Sequence, residues 1–301
     1  MFLKHGEFQN SIETIQRAYV SEEGWPTEWF VEPWPHVLVS EKEHLNLPQV
    51  ARDIVQLWEE RHGSSFPWHY WRGIKSSRNL HSSQVLGLAT LGALVSSGYR
   101  PLERALLSAQ LLNPDEVVFE FDFEYEPPNF FAEIRRTSVD FMVKVGQIKG
   151  LADPIYLEVK FLEAHFGSCS RRSNRICDGF PELSVQQISA ACPLSKEGIR
   201  YWEFLPKIMN STEKLGCPIE GSFYQLARNM IHLLKDGGRH FVILADARAK
   251  YLKDEVINFK RFVSPEYRNL VSYMTFQQLV PYLNETNAGV AELLRRKYGI
   301  Y

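Results

Sequence analysis

The sequence predicts an α/β fold, and three observations carry that reading. Residues 116–124, 136–145 and 155–161 alternate apolar and polar side chains at the two-residue period of a strand with one buried face. Residues 222–234 place Phe223, Leu226, Met230 and Leu233 on one side at helical spacing. The run His240-Phe-Val-Ile-Leu-Ala-Asp246 follows as a strand apolar on both faces. Three strands joined by short links form an antiparallel meander. A fourth strand reached through a helix favours parallel pairing.

The elements follow in order. The first 80 residues hold six of the seven tryptophans, at 25, 29, 34, 58, 68 and 71. Residues 47–61 read as a helix with Val50, Ile54 and Leu57/Trp58 on one face, and Pro26, Pro33, Pro35 and Pro67 interrupt the rest. This region is expected to form an aromatic layer packed on the core, and a base-stacking surface is the functional alternative. Residues 82–95 read as a buried helix capped by serine, and 101–112 as a second helix. From Phe119 onward the first strand alternates aromatic and acid. Residues 162–221 form a long irregular insert, and the tail adds a strand at 270–275 and helices at 276–284 and 288–297. The expected units are an N-terminal layer (1–80), a core (81–250, insert included) and a C-terminal strand and helices packed on it (251–301).

The chain has 301 residues, of which 45% are hydrophobic and 13% aromatic, enough for a substantial core. A net charge of −2 argues against a globally basic binder of nucleic acid. The charge is uneven: residues 135–175 carry eight Lys/Arg against four acids, +4 locally, which leaves −6 for the remainder. A solvated basic face accounts for this as readily as a nucleic-acid contact does. No apolar run approaches the roughly 18–20 residues of a membrane span, and the N-terminus lacks the apolar stretch of a signal peptide. A cytoplasmic location is the expectation, and there disulfides are disfavoured.

On the second strand Val139, Phe141, Val143 and Val145 share one face, while Ser138, Asp140 and Lys144 take the other. On the third, Ile155, Leu157, Val159 and Phe161 oppose Glu158 and Lys160. If these strands pair, two carboxylates and an ammonium converge on one patch, the minimum for a divalent metal and a charged leaving group. A surface ion pair between Glu158 and Lys160, with Asp140 in a turn, is the structural alternative.

Helix, three strands, helix, strand, with Asp140, seventeen residues, then Glu158-Val159-Lys160, resembles the PD-(D/E)XK nuclease superfamily and its restriction-endonuclease-like fold. The helix start Ser82-Ser83-Gln84 and the later Tyr224-Gln225-Leu226-x-Arg228-Asn229 look like one branch of it. The resemblance covers about residues 80–250. It implies Mg²⁺- or Mn²⁺-dependent hydrolysis of DNA phosphodiesters, with Asp140, Glu158 and the Val159 carbonyl as metal ligands. Lys160 would orient water and stabilise charge on the phosphate, and Gln225 would assist. Arg228 and Asn229 would face the nucleic acid. Gln84 stands where many members carry a glutamate ligand, so either the metal site is lighter or Glu120, Asp122 or Glu124 replaces it. A plain solvent-facing edge explains those three acids equally well. The competing functions are a nucleic-acid-binding or assembly protein that keeps the fold without catalysis, and an unrelated α/β enzyme. DNA is the expected partner, with a homodimer admitted and no membrane.

All four cysteines fall in the insert, as Cys169-x7-Cys177-x14-Cys192-Pro and Cys217-Pro. Four thiolates suit a structural Zn²⁺ or a [4Fe–4S] cluster, and the absence of a short Cys-x2-Cys leans towards the cluster. His165 is a substitute ligand, and four separate buried thiols are the structural alternative. Arg171, Arg172 and Arg175 lie between the first two cysteines, so a pinned basic loop would present them to DNA phosphates.

Overall fold

The computed structural model describes residues 3–133, 136–169, 171, 176–180, 183–210, 216–219 and 223–301. Five strands form one sheet, ordered as in the chain: β1 (Val117–Tyr125), β2 (Val139–Gly146), β3 (Asp153–Val159), β4 (His240–Ala245) and β5 (Val271–Thr275). β1, β2 and β3 pair antiparallel, and β4 and β5 add in parallel. Alternation therefore produced the meander, and each helical crossover produced a parallel step. The longer helices are α1 (His5–Glu22), α2 (Gln49–His62), α3 (Ser83–Ser96), α4 (Arg100–Ser108), α5 (Tyr224–Lys235), α6 (Lys250–Phe262) and α7 (Phe276–Thr286).

The sheet lies between α3 and α5. Every residue of α3 from Gln84 to Val95 is buried, because its outer side is covered by α2, α4 and α7. Gly87 lets α3 approach β3: a Cβ there would stand 3.0 Å from Val159 Cγ2. Ser82 caps the helix, its Oγ accepting the Val85 N–H at 3.1 Å. On the opposite face α5 meets β3 and β4 and buries Leu226, Ala227, Met230 and Leu233.

The N-terminal layer closes the free edge of β1. Trp58 donates its indole N–H to the Phe123 carbonyl at 2.7 Å, and Arg61 donates to the Phe121 carbonyl at 2.8 Å. These are carbonyls that an edge strand leaves without a ladder partner. α1 and α6 were not anticipated as helices, although each carries a buried stripe at helical spacing: Phe8, Ile12, Gln16 and Tyr19 in α1, and Leu252, Val256 and Phe259 in α6. One hydrophobic cluster runs from Phe8 to Ile300. The insert contributes short helices at Val185–Ala191, Pro193–Lys196 and Leu205–Ile208. Among the described residues no helix is long and apolar enough to cross a membrane.

Candidate active site

The register of the meander builds the site. Phe123 pairs with Phe141, and Phe141 with Leu157. One residue further along, Glu124, Asp140 and Glu158 fall in a single row across β1, β2 and β3. Like charges set opposite one another across strands repel, so such a row persists only where something compensates it.

All three carboxylates accept hydrogen bonds. Glu158 accepts from Lys160 Nζ at 2.9 Å through one oxygen and from Asn229 Nδ2 at 2.9 Å through the other. Lys160 donates as well to Gln225 Oε1, at 2.9 Å. The first two turns of α5 therefore hold the Glu158–Lys160 pair from above, and the Gln225 N–H fixes the start of that helix to the Phe166 carbonyl at 2.9 Å. Glu124 accepts from Gln84 Nε2 at 2.6 Å. The Gln84 oxygen is itself engaged by the His69 N–H at 3.1 Å and by Ser76 Oγ. Gln84 thus orients a carboxylate from β1 through its amide nitrogen. Of the three acids on β1, Glu120 pairs with Lys144 and Asp122 with His62 and Arg61, leaving Glu124 at the site.

Glu124 reaches Gln84 by leaving strand geometry. Its φ is +49, a left-handed conformation that non-glycine residues rarely adopt. Strain of this kind concentrates at functional positions. Asp140 accepts the Val159 N–H through Oδ2 at 2.6 Å. His69 Nε2 lies 3.2 Å from Glu124 Oε2. Ligand atoms of His69, Glu124 and Asp140 all fall within 4.8 Å of one another, the only such triplet of His, Cys, Asp or Glu among the described residues.

Burial pushes the Asp140 carboxyl well above the usual carboxylate range, and the negative charges of Glu158 and Glu124 push it further. For Lys160, burial alone would lower the pKa, but Glu158, Glu163 and Asp140 outweigh it and hold the ammonium charged. The bond to Glu124 raises His69 to about 9 against its desolvation, with Glu124, Asp140 and Glu158 adding to the rise. Four carboxylates, counting Glu163, thus face two cations, Lys160 and His69. The formal excess is two negative charges, or three once His69 gives up its proton to act as a ligand; a proton on Asp140 relieves it in part, and a divalent cation relieves most of it. Carboxylate oxygens with one imidazole suit such an ion, so the donor set fits. His69, Gln84 and Glu163 also line an open groove of about 450 Å³ beside the row.

The strand reading placed Asp140, Glu158 and Lys160 on one polar face, and the structure does bring these side chains together. The difference lies in exposure. Glu158 and Lys160 are only 4% and 5% exposed, because α5 covers that face. The α5 stripe is likewise no solvent-facing surface, with Asn229 and His232 buried. Val159 enters the site through its N–H, by way of Asp140. Arg228 donates to Asn229 Oδ1 at 3.2 Å and lies over the Tyr224 ring. Arg171 is paired with Glu197, whereas Arg172 and Arg175 lie outside the described residues. His69 carried no sequence signal. It precedes a two-residue strand and reaches the site only through the fold of the N-terminal layer.

Fold and site together define an α/β protein with a buried acidic centre at one end of its sheet. The chain belongs to the REase-ARP family, described as Restriction Endonuclease associating with ARP, whose model matches residues 5–299. Comparison with curated proteins and with solved structures finds no match. The match extends the sequence resemblance, which stopped at about residues 80–250, to the N-terminal layer that supplies His69 and to the tail.

Proposed function

We propose that this chain is a divalent-metal-dependent nuclease that hydrolyses DNA phosphodiester bonds with a restriction-endonuclease-like core. The observation that carries the reading is the row Glu124–Asp140–Glu158 with one buried lysine beside it. The family description supports a nuclease. Asp140, Glu124 and His69 would hold the cation, with Glu158 beside them. When bound, a cation of this kind neutralises the scissile phosphate and acidifies a coordinated water. Lys160 keeps its charge inside the protein because Glu158 and Glu163 compensate it, and it stabilises negative charge developing on the phosphate. Gln225 and Asn229 fix the angles of Lys160 and Glu158, since each makes one direct bond to that pair. The family description also names an association with ARP, and we extend that association to this chain.

The test is cleavage of plasmid and linear DNA by purified protein with Mg²⁺ or Mn²⁺, with and without chelator. Cleavage should require the metal and fall by about 10²-fold or more in Lys160→Gln and Glu124→Gln. Wild-type protein that binds neither ion and cuts no DNA would leave the fold without the activity.

A further inference from the structure

The four cysteines take no part in the acidic site, yet the fold gathers them. The backbone ties three of their segments together. The N–H groups of Ile176 and Cys177 both donate to the Arg171 carbonyl, at 2.8 and 3.3 Å. The Gly179 N–H donates to Cys177 Sγ at 3.3 Å, and the Cys217 N–H donates to the Gly179 carbonyl at 2.9 Å. Cys192 arrives from the far end of the Val185–Ala191 helix, where it caps the next short helix. Cys169, Cys192 and Cys217 are 7%, 4% and 8% exposed, and Cys177 is half-buried. Cys169, Cys177 and Cys192 all lie near enough to Cys217 to act on its sulfur electrostatically, so all four sulfurs share one neighbourhood.

Their spacing separates two kinds of centre. A tetrahedral zinc with Zn–S of about 2.3 Å draws its sulfurs to roughly 3.8 Å from one another. Among the described residues no three cysteine sulfurs lie within 4.8 Å of one another. A cubane cluster carries its thiolates on separate corner irons and spreads them wider. We propose that Cys169, Cys177, Cys192 and Cys217 ligate one [4Fe–4S] cluster that fastens the 162–221 insert beside the end of β3. The proposal is independent of the nuclease reading, since it uses none of the same side chains.

The test measures iron, acid-labile sulfide and zinc in full-length protein purified without oxygen, together with the visible spectrum. The expected result is about four irons and four sulfides per chain, with charge-transfer absorbance at about 400 nm. Cys177→Ser, at the least buried position, should lose that absorbance, whereas Asp140→Asn should keep it. One zinc per chain would overturn the cluster. So would wild-type protein with neither metal, and that result needs no variant to fold.

Discussion

Two buried carboxylate clusters lie close together in this protein, and they are built on opposite principles. Glu133, 7% exposed, is surrounded by donors. It accepts from the Thr137 N–H at 3.0 Å, from Thr137 Oγ1 at 2.7 and 2.8 Å and from the Tyr201 hydroxyl, and His232 Nε2 stands 3.2 Å away. Burial alone would raise its pKa, but His232, Tyr201 and Thr137 outweigh it and hold the carboxyl at about 2. Asp140 faces Glu124 and Glu158 instead, and its pKa goes up. A buried acid whose donors satisfy it needs nothing further and serves the fold. A buried acid set among other acids leaves the fold with an unmet charge, and that is what supports the metal site proposed above. Burial alone would not have distinguished the two.

The sharpest way to break this comparison is to neutralise each acid in turn. Asp140→Asn should lower metal-dependent cleavage by about 10²-fold or more, because a ligand is lost. It should also leave the metal-free protein at least as stable as wild type, because repulsion in the row is relieved while the acceptor for the Val159 N–H remains. Glu133→Gln should do the reverse and cost on the order of 2–4 kcal/mol in urea unfolding, as for a broken buried charged network. Its activity per folded molecule should persist. If Asp140→Asn destabilises the protein as much as Glu133→Gln does, the row is structural.

The same contrast sets opposite pH dependences. Asp140 has its folded pKa raised above 3.8, so its contribution to stability is present below that pH and is lost as pH climbs through the raised value. Glu133 has its folded pKa lowered from 4.5 to about 2, so its contribution is present above 4.5 and is lost as pH falls towards 2. The groups facing Asp140 are Glu124, Glu158, Lys160 and His69. In chelator, the gain from Asp140→Asn should therefore grow from pH 5 to pH 8. The cost of Glu133→Gln should stay flat over that range and shrink in acid. Parallel profiles for the two variants would erase the distinction.

How much of this was legible in the sequence follows from which interactions are local. Asp140, Glu158 and Lys160 were readable because strand period fixes which side chains share a face. Gln225 and Asn229 were readable because four residues make about one helical turn. That those faces are covered was not readable, since the cover comes from α5 docking across the sheet, which local periodicity does not encode. Glu124 stood among three equivalent acids on β1, and only its left-handed backbone and the Gln84 contact single it out. His69 has no periodic context at all. α1 and α6 carry buried apolar stripes at helical spacing, so both helices are legible in the sequence.

The smallest expected effect concerns the N-terminal layer, where two aromatic regions differ as the two acid clusters do. Trp58 and Phe66 pack inward, and Trp58 closes the β1 edge. Tyr70 and Trp71 directly follow His69 and are 67% and 43% exposed along the groove. The Arg72 guanidinium lies 5.0 Å over the Trp71 ring, and Trp34 meets that ring edge-on with centroids 5.4 Å apart. On the nuclease reading proposed above, an exposed indole backed by a cation, beside a candidate metal ligand, would stack an unpaired base next to the phosphate. Trp71→Ala should therefore weaken binding of single-stranded DNA by about 1–3 kcal/mol. Folding stability should stay within about 0.5 kcal/mol, as for a surface substitution. Binding of fully paired duplex should change less, because its bases are already stacked. Titration with an unpaired oligonucleotide should also quench tryptophan fluorescence in wild type and do so less in the variant. Equal single-strand affinity in both proteins would confine the aromatic layer to scaffolding and leave base contact to some other face of the groove.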